Sequence, residues 1–206
     1  MHDGERNCRK EFNMKFDEKN DAALIERHAA SEEIFDGIIL HLFRDKVTLP
    51  DGKDAVREVI RHVGAVCVVP LTDEGEVICV RQYRYPAAQV MLEIPAGKLD
   101  SKHEDRREAA LRELREETGV SCERLTSLGA FYPAPAYSDE LIDMYLAEGL
   151  SYGETAPDED EFLDVVRVPL DELVDMVMRG EILDAKTQMA VLKVRMLKQR
   201  EAGKSC

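Results

Sequence analysis

The sequence predicts an α+β fold, in which a mixed β-sheet is sandwiched between helices and an N-terminal β-hairpin extends from it. Two observations favour this class. Apolar segments of strand length come in pairs joined by turn signals, which is typical of hairpins rather than of strict alternation between strands and helices. Segments with helical periodicity are few, with one in the middle of the chain and two near its end.

Two hairpins are predicted in the first half of the chain. The turn signal PDG joins segments 34–49 and 53–60, and TDEG joins segments 64–71 and 76–85. Glycine and aspartate between two apolar runs are typical of tight turns. A shorter strand, VMLEIPAG, follows the second hairpin. Roughly the first 20 residues are charged and aperiodic, so we interpret them as a short extension.

The second half of the chain predicts three strands and two helices after a central helix. The strands are expected at 125–135, 141–150 and 162–170. The segment LDELVDMVMRG spaces its apolar residues at helical intervals and stops at Gly180. Asp184 can cap the last helix, AKTQMAVLKVRMLKQR, because an aspartate side chain accepts hydrogen bonds from the first helical turn.

Composition limits the possible partners and compartment. The 206 residues suit one large domain, and no apolar run reaches the roughly 18 residues of a membrane span. The N-terminus lacks the apolar stretch of an export signal, and the five cysteines show no CxxC spacing. A net charge of −14 repels nucleic acid. We therefore expect a cytoplasmic protein with reduced thiols and no membrane or nucleic-acid partner.

The central helix gathers carboxylates on one face. Glu113, Glu116 and Glu117 lie at i, i+3 and i+4, where like charges repel, and the last two lie near the unfavourable C-terminal end of the helix. A hard divalent cation explains this placement, because carboxylate oxygens are its preferred ligands. The alternative is an ordinary solvated face, in which Arg112 pairs with Glu108 and Glu116.

The spacing around this helix resembles the signature of the Nudix hydrolase family, G-x5-E-x7-R-E-U-x-E-E-x-G-U, in which U is a bulky apolar residue. Glu104, seven further residues and then RELREETGV (112–120) match that signature in spacing and identity. The sequence departs from it at the start, because six residues rather than five separate Gly97 from Glu104. We interpret the extra residue as a loop insertion.

The resemblance extends to the ADP-ribose pyrophosphatase branch of that family, over roughly residues 31–198. The segments VRQYRYP, LEIPAGKL and YPAPAYSDELIDMYLAE resemble this branch, and Pro135 lies 16 residues beyond Gly119, as the branch has it. Ala136 stands where the branch more often has glycine. The resemblance implies an extension and hairpin at 1–60 that contacts a partner subunit in a homodimer, and a Nudix domain at 61–206.

The resemblance also implies a metal site and its catalytic residues. The metal is expected to be Mg²⁺, with Mn²⁺ as an alternative, and Glu104 is a further candidate ligand. Arg112 is expected to orient the glutamates, and Glu116 is placed with it among the catalytic residues. The expected metal ligands are Glu113, Glu116, Glu117 and the Ala96 carbonyl.

Three residues are expected to bind substrate and one to act as the base. In the resembling branch, arginines at the positions of Arg57 and Arg84 contact the substrate, and a guanidinium suits phosphate or ribose oxygens. Glu140 is the third candidate for substrate binding. The loop DEDEF offers Glu161 as the general base, with Glu159 as the alternative. Ordinary surface salt bridges and a solvated acidic turn are the competing interpretations of these residues.

The function implied by the resemblance is metal-dependent hydrolysis of ADP-ribose, a nucleoside diphosphate sugar, to AMP and ribose 5-phosphate. One alternative is hydrolysis of another nucleoside diphosphate sugar or of an oxidised nucleotide. A second alternative, from a different class, is a sensor that binds ADP-ribose without cleaving it. The intact glutamate cluster argues against the sensor, because a protein that only binds has no need to tolerate clustered carboxylates.

Overall fold

The computed structural model describes residues 21–156 and 162–203, which contain ten strands and three helices. A short 3₁₀ turn, Tyr85–Ala87, follows the fifth strand. The strands are β1 (Arg27–Asp36), β2 (His41–Thr48), β3 (Asp54–Arg61), β4 (Ala65–Pro70), β5 (Glu76–Arg84), β6 (Gln89–Glu93), β7 (Ala96–Lys98), β8 (Val120–Phe131), β9 (Ile142–Tyr152) and β10 (Leu163–Pro169). The helices are α1 (Arg106–Thr118), α2 (Leu170–Met178) and α3 (Ala185–Ala202).

The N-terminal part forms a separate antiparallel sheet in the order β1-β2-β3. The predicted first hairpin is present as β2 and β3, which pair from His41 opposite Arg61 to Thr48 opposite Asp54. The prediction of one strand over 34–49 is wrong, because the chain turns back where the Gly37 amide donates to the Leu40 carbonyl at 2.9 Å. The preceding strand, β1, was missed because its residues are exposed at every position and show no apolar alternation.

The α+β prediction is confirmed by two further sheets with helices packed against them. One is a mixed four-stranded sheet, β7-β4-β9-β8, in which β4 and β9 run parallel. The other is antiparallel, in the order β10-β5-β6. The predicted strand VMLEIPAG is divided between them, because β6 ends at Glu93 and β7 begins at Ala96.

The second predicted hairpin is wrong, because β4 and β5 belong to different sheets. A single bridge, Leu71 to Val77, joins their ends within the described residues. The turn itself is present, with the Gly75 amide donating to the Thr72 carbonyl at 3.0 Å. Every residue of β4 is buried. A strand that is apolar throughout is typical of the middle of a covered sheet rather than of a hairpin with one wet face.

Strand β4 contributes to two hydrophobic cores, because successive side chains of a strand point to opposite faces. Ala65, Cys67 and Val69 pack with residues of α2 and α3. Val66 and Val68 pack with residues of α1. The helices therefore cover both sides of this strand, and the residues beside it are held from both faces.

The helix boundaries follow from local hydrogen bonds. The Asp105 carboxylate caps α1 by accepting from the amides of Arg107 and Glu108. The predicted cap of the last helix is confirmed, since Asp184 accepts from the Thr187 amide at 2.9 Å. Gly119 ends α1 with a φ of +69°, and a Cβ there would lie 2.6 Å from the Gly153 carbonyl oxygen. Both its conformation and its close contact therefore require glycine.

Three cysteines in the described ranges, Cys67, Cys79 and Cys122, are free thiols. Burial raises the pKa of the Cys67 and Cys79 thiols to about 12, which keeps them protonated and unreactive. Over 21–156 and 162–203, the helices lack the combination of length and apolar character that a membrane crossing requires.

Candidate active site

Helix α1 and strand β7 approach each other closely at Gly97. A Cβ built on Gly97 would lie 2.0 Å from the carboxyl carbon of Glu113 and 2.2 Å from its oxygens. One turn further along α1, the Glu117 side chain accepts a hydrogen bond from the Ala96 amide at 3.0 Å. Glu117 is only 3% exposed. The fold therefore brings together Ala96, Glu113 and Glu117, which are three of the four expected metal ligands.

Arg112 lies among two carboxylates of the helix and one that precedes it. Its Nη1 donates to Glu113 at 2.7 Å and to Glu116 at 3.0 Å, and its Nη2 donates to Glu104 at 3.2 Å. Burial alone would lower the pKa of Arg112, but the three carboxylates raise it above its ordinary value. The guanidinium is therefore always charged, and it draws Glu104, Glu113 and Glu116 to one side of the helix.

The extra residue in the signature loop is accommodated by a turn. The Glu104 amide donates to the Ser101 carbonyl at 3.2 Å, and the Asp100 amide donates to the Glu104 carboxylate at 2.6 Å. Glu104 therefore still contacts Arg112 despite the longer spacing from Gly97.

The groups gathered where α1 meets β7, which we call the carboxylate junction, are suitable ligands for a divalent cation. All the side-chain donors are carboxylate oxygens, which hard cations such as Mg²⁺ and Mn²⁺ prefer. Three carboxylates surround the single guanidinium of Arg112, so negative charge is in excess. Within 21–156 and 162–203, no three acidic, histidine or cysteine side chains are already arranged as a metal site. Instead, Arg112 Nη1 lies between Glu113 and Glu116, and a bound cation would share these carboxylates with it.

A cavity of about 280 Å³ opens beside β7. Its lining includes Ala96 and Gly97 together with Arg84, Glu140 and Lys186. The cavity therefore contains residues that contact the glutamates of α1 and two of the three residues expected to bind substrate. A larger cleft, about 760 Å³, lies elsewhere in the fold and contains none of the predicted site residues.

A buried carboxylate holds the cations of this cavity. Arg84 donates through Nε and Nη2 to the two oxygens of Glu93, at 2.7 and 2.8 Å, and Lys186 donates to the same carboxylate. Glu93 is 2% exposed. Burial alone would raise the pKa of Glu93, but Arg84 and Lys186 bring it below its ordinary value. In return, Glu93 raises the pKa of Arg84.

Sequence reasoning missed both Glu93 and Lys186. An acidic residue between the apolar residues of LEIPAG was the available signal, because a buried carboxylate needs cationic partners. Lys186 gives no such signal, since a lysine in the first turn of a helix is usually solvated.

The other predicted site residues lie in different places. Arg57, on β3, donates through Nε to Glu26 at 2.8 Å and does not line the cavity with Arg84. Glu140 lines that cavity and lies 3.9 Å from His62 Nδ1. Glu161 and its alternative Glu159 lie outside the described residues.

Backbone hydrogen bonds join the segment before residue 157 to the C-terminal end of α1. The Gly153 amide donates to the Gly119 carbonyl at 2.7 Å, and the Ala156 amide donates to the Glu116 carbonyl at 2.9 Å. These bonds place residue 156 against the last turn of α1, next to the carboxylate cluster.

Comparison with known proteins assigns this architecture to a family. The NUDIX domain family matches residues 61–189. The chain is 42% identical to an ADP-ribose pyrophosphatase of Bacillus subtilis (strain 168), over 88% of this chain and 99% of the relative. It is 45% identical to a methanol dehydrogenase activator of Bacillus methanolicus, over 81% of this chain and 90% of the relative.

A solved structure supports the same assignment. The crystal structure of an ADP compounds hydrolase matches with a TM-score of 0.76 and 26% identity, over 85% of this chain and 95% of that one. The chain therefore belongs to the Nudix family, as its signature predicts. It is a Nudix hydrolase, a class of enzymes that generally depends on a divalent metal ion.

Proposed function

We propose that this enzyme hydrolyses the diphosphate bond of ADP-ribose to AMP and ribose 5-phosphate, with Mg²⁺ as its metal and Mn²⁺ as a substitute. The observation that carries the proposal is one cavity lined both by Ala96 and Gly97, which contact the glutamates of α1, and by Arg84, which Glu93 holds in place. The negative charge of a diphosphate bound there would be neutralised by a metal ion at the glutamates and by Arg84. The similarity to ADP-ribose pyrophosphatase over nearly the whole chain supports the choice of substrate.

We assign a role to each site residue from its charge and its position. Glu113, Glu116, Glu117 and the Ala96 carbonyl would hold the metal, which supplies Lewis acidity and charge neutralisation at the phosphorus and the attacking water. Arg84 keeps Nη1 for a phosphate oxygen, since Glu93 engages its other two nitrogens. Glu140 can accept a hydrogen bond from a sugar hydroxyl, because its carboxylate lines the same cavity. We assign proton abstraction from water to Glu161.

A substrate panel tests this function. Steady-state rates are measured for ADP-ribose, GDP-mannose and dGTP, each with Mg²⁺ and with excess chelator. We expect the highest kcat/KM for ADP-ribose and no turnover with chelator. A higher kcat/KM for a triphosphate or another sugar nucleotide would show that the substrate is wrong. Tight ADP-ribose binding without turnover would favour the sensor instead.

We also propose a homodimer that forms through the N-terminal sheet, with residues 1–60 as the extension and 61–206 as the catalytic domain. Large apolar side chains around the β1–β2 turn are exposed, and this is unfavourable in water unless a partner covers them. They are Ile34, Phe35, Ile38, Ile39 and Leu40. Light scattering at micromolar concentration should give twice the 23.3 kDa mass of the chain, and a single-chain mass would remove this proposal.

In that dimer we assign Arg57 to the neighbouring subunit's site, because it does not line the cavity of its own chain. Arg57→Ala should then raise KM for ADP-ribose, whereas an unchanged KM would leave Arg57 as a surface residue paired with Glu26. We infer a cytoplasmic location, which the free thiols of Cys67, Cys79 and Cys122 support.

A further inference from the structure

The first turn of α3 brings a second cation to the substrate cavity. Lys186 donates to Glu93, and its Nζ lies 3.0 Å from the Asp184 carboxylate. Its side chain is 11% exposed, so a lysine that usually reaches water is here directed inward. No part of the proposed reaction described above requires this residue to be a lysine.

We propose that Lys186 is a positioning residue, which holds Glu93 so that Glu93 in turn fixes the guanidinium of Arg84 for the substrate diphosphate. The inference rests on the proposed function, because it concerns the same cavity. It adds a residue on α3, about 100 residues beyond Arg84 in the chain, to the machinery for substrate binding.

The geometry of Arg84 shows what has to be held. Its Nε and Nη2 donate to the two oxygens of Glu93 in a bidentate pair, which fixes the plane of the guanidinium. Nη1 has no hydrogen-bond partner in the described part of the chain, and Arg84 lines the cavity. The orientation of Nη1 therefore depends on the position of the Glu93 carboxylate.

Glu93 alone would be a poor support for that orientation. With Arg84 as its only partner, the carboxylate could turn together with the guanidinium that it has to hold. Lys186 gives Glu93 a second partner from a different element, so the carboxylate is held from both β5 and α3. Asp184 in turn pairs with Lys186, so two cations and two carboxylates balance in formal charge, and the contribution of Lys186 is to position Glu93.

Helix α3 is attached to the same strands by a second contact. The Ile94 amide donates to Thr187 Oγ1 at 2.9 Å, and Ile94 follows Glu93 directly. Thr187 Oγ1 in turn donates to Asp184 at 2.6 Å. The first turn of α3 is therefore fixed relative to Glu93, and Lys186 has a defined position from which to hold the carboxylate.

The test is a set of variants assayed on the best substrate of the panel above. Lys186→Met keeps the length of the side chain and removes its charge, and Lys186→Arg restores the charge. The matched control is Lys193→Met, on the same helix, whose ammonium donates to the Leu128 carbonyl away from the cavity. We expect Lys186→Met to raise KM roughly tenfold with kcat nearly unchanged, Lys186→Arg to recover most of the loss, and the control to match wild type.

A double-mutant cycle separates positioning from direct contact. In an Arg84→Gln background, Lys186→Met should have almost no further effect, because the residue it acts through is gone. Additive losses in KM would mean that Lys186 contacts the substrate itself, and would overturn the proposal. An unchanged KM in the single variant would overturn it too, as would equal losses of kcat and stability that Lys186→Arg fails to recover.

A binding measurement keeps this inference distinct from the proposed function. ADP-ribose is titrated into metal-free wild type, Lys186→Met and Lys193→Met by calorimetry. If wild type binds ADP-ribose in this titration but does not cleave it in the panel with Mg²⁺, the proposed function fails, while a weaker affinity in Lys186→Met alone still supports the inference. Equal affinity in all three proteins would refute the role of Lys186 whatever the panel shows.

Discussion

Two charged clusters near β7 have opposite compositions. At α1, one cation, Arg112, lies among the carboxylates of Glu113 and Glu116 on the helix and of Glu104 just before it. Between β6 and α3, one carboxylate, Glu93, lies between the cations of Arg84 and Lys186. Each cluster is connected by hydrogen bonds, yet the first has negative charge in excess, whereas the second is balanced, because Asp184 also pairs with Lys186.

The difference in burial matters as much as the difference in net charge. The carboxylates of Glu104 and Glu116 are partly exposed and can move toward a cation that arrives from solution, whereas Glu117 beside them is buried. The carboxylate of Glu93 is almost fully buried and is held by groups from two elements. One cluster is therefore suited to exchange a ligand, and the other is suited to keep its geometry.

The largest expected effect comes from removing one charge at the carboxylate junction. Glu117→Gln should lower kcat by about 10²–10³-fold, because the proposed metal site would lose a hard ligand and its negative charge. The thermal midpoint should change little, since the amide oxygen can still accept from the Ala96 amide. The control is Glu108→Gln, an exposed position on the same helix. Full activity in Glu117→Gln would mean that this face of α1 is an ordinary charged surface.

A steric change at the junction should have a smaller effect. In Gly97→Ala the new methyl group would overlap the Glu113 carboxylate, so the helix or the carboxylate has to move. We expect a loss of about 10–100-fold in kcat and about 1–3 kcal/mol of stability. Gly203→Ala is the control, because its Cβ would lie 3.5 Å from the Gln199 carbonyl oxygen with a φ of −72°. Wild-type behaviour of Gly97→Ala would show that the close approach is not needed.

The smallest effect concerns the buried cluster and depends on pH. Because the pKa of Glu93 is below its unfolded value, near 4.5, its stabilising contribution is present above that pH and is lost as pH falls through the folded pKa. Glu93→Gln should cost about 1–3 kcal/mol at pH 7. Thermal melts between pH 7 and pH 3 should show the gap to wild type narrowing below about 4.5. A constant gap would mean that the charge of Glu93 contributes nothing to stability.

The helices and the shared face of the three glutamates could be predicted from the sequence, because the signals are local. The spacing of Glu113, Glu116 and Glu117 sets their common face within one helix, and Asp184 marks a helix start within four residues. The contact of Glu117 with Ala96 follows only once the family signature indicates which strand faces the helix.

The errors arose where a contact between distant segments decides the structure. Segments 64–71 and 76–85 have the turn of a hairpin, but the complete burial of β4 places it between other strands. The pair of Glu93 and Lys186 joins residues 93 positions apart, and neither local sequence indicates the other. Periodicity describes the environment of one element, whereas such pairs depend on how elements are arranged.

The position of strand β4 determines how the enzyme loses substrate binding when it unfolds. Its Cys67 is paired with Ala96 of the neighbouring strand β7. Its Ala65 and Val66 line the cavity. Its side chains are shared by both cores, so its amides can exchange with solvent only when both cores open together. The cavity residues on β4 are therefore expected to lose their structure only when the whole molecule unfolds. On heating, substrate binding should be lost at the temperature where the molecule unfolds.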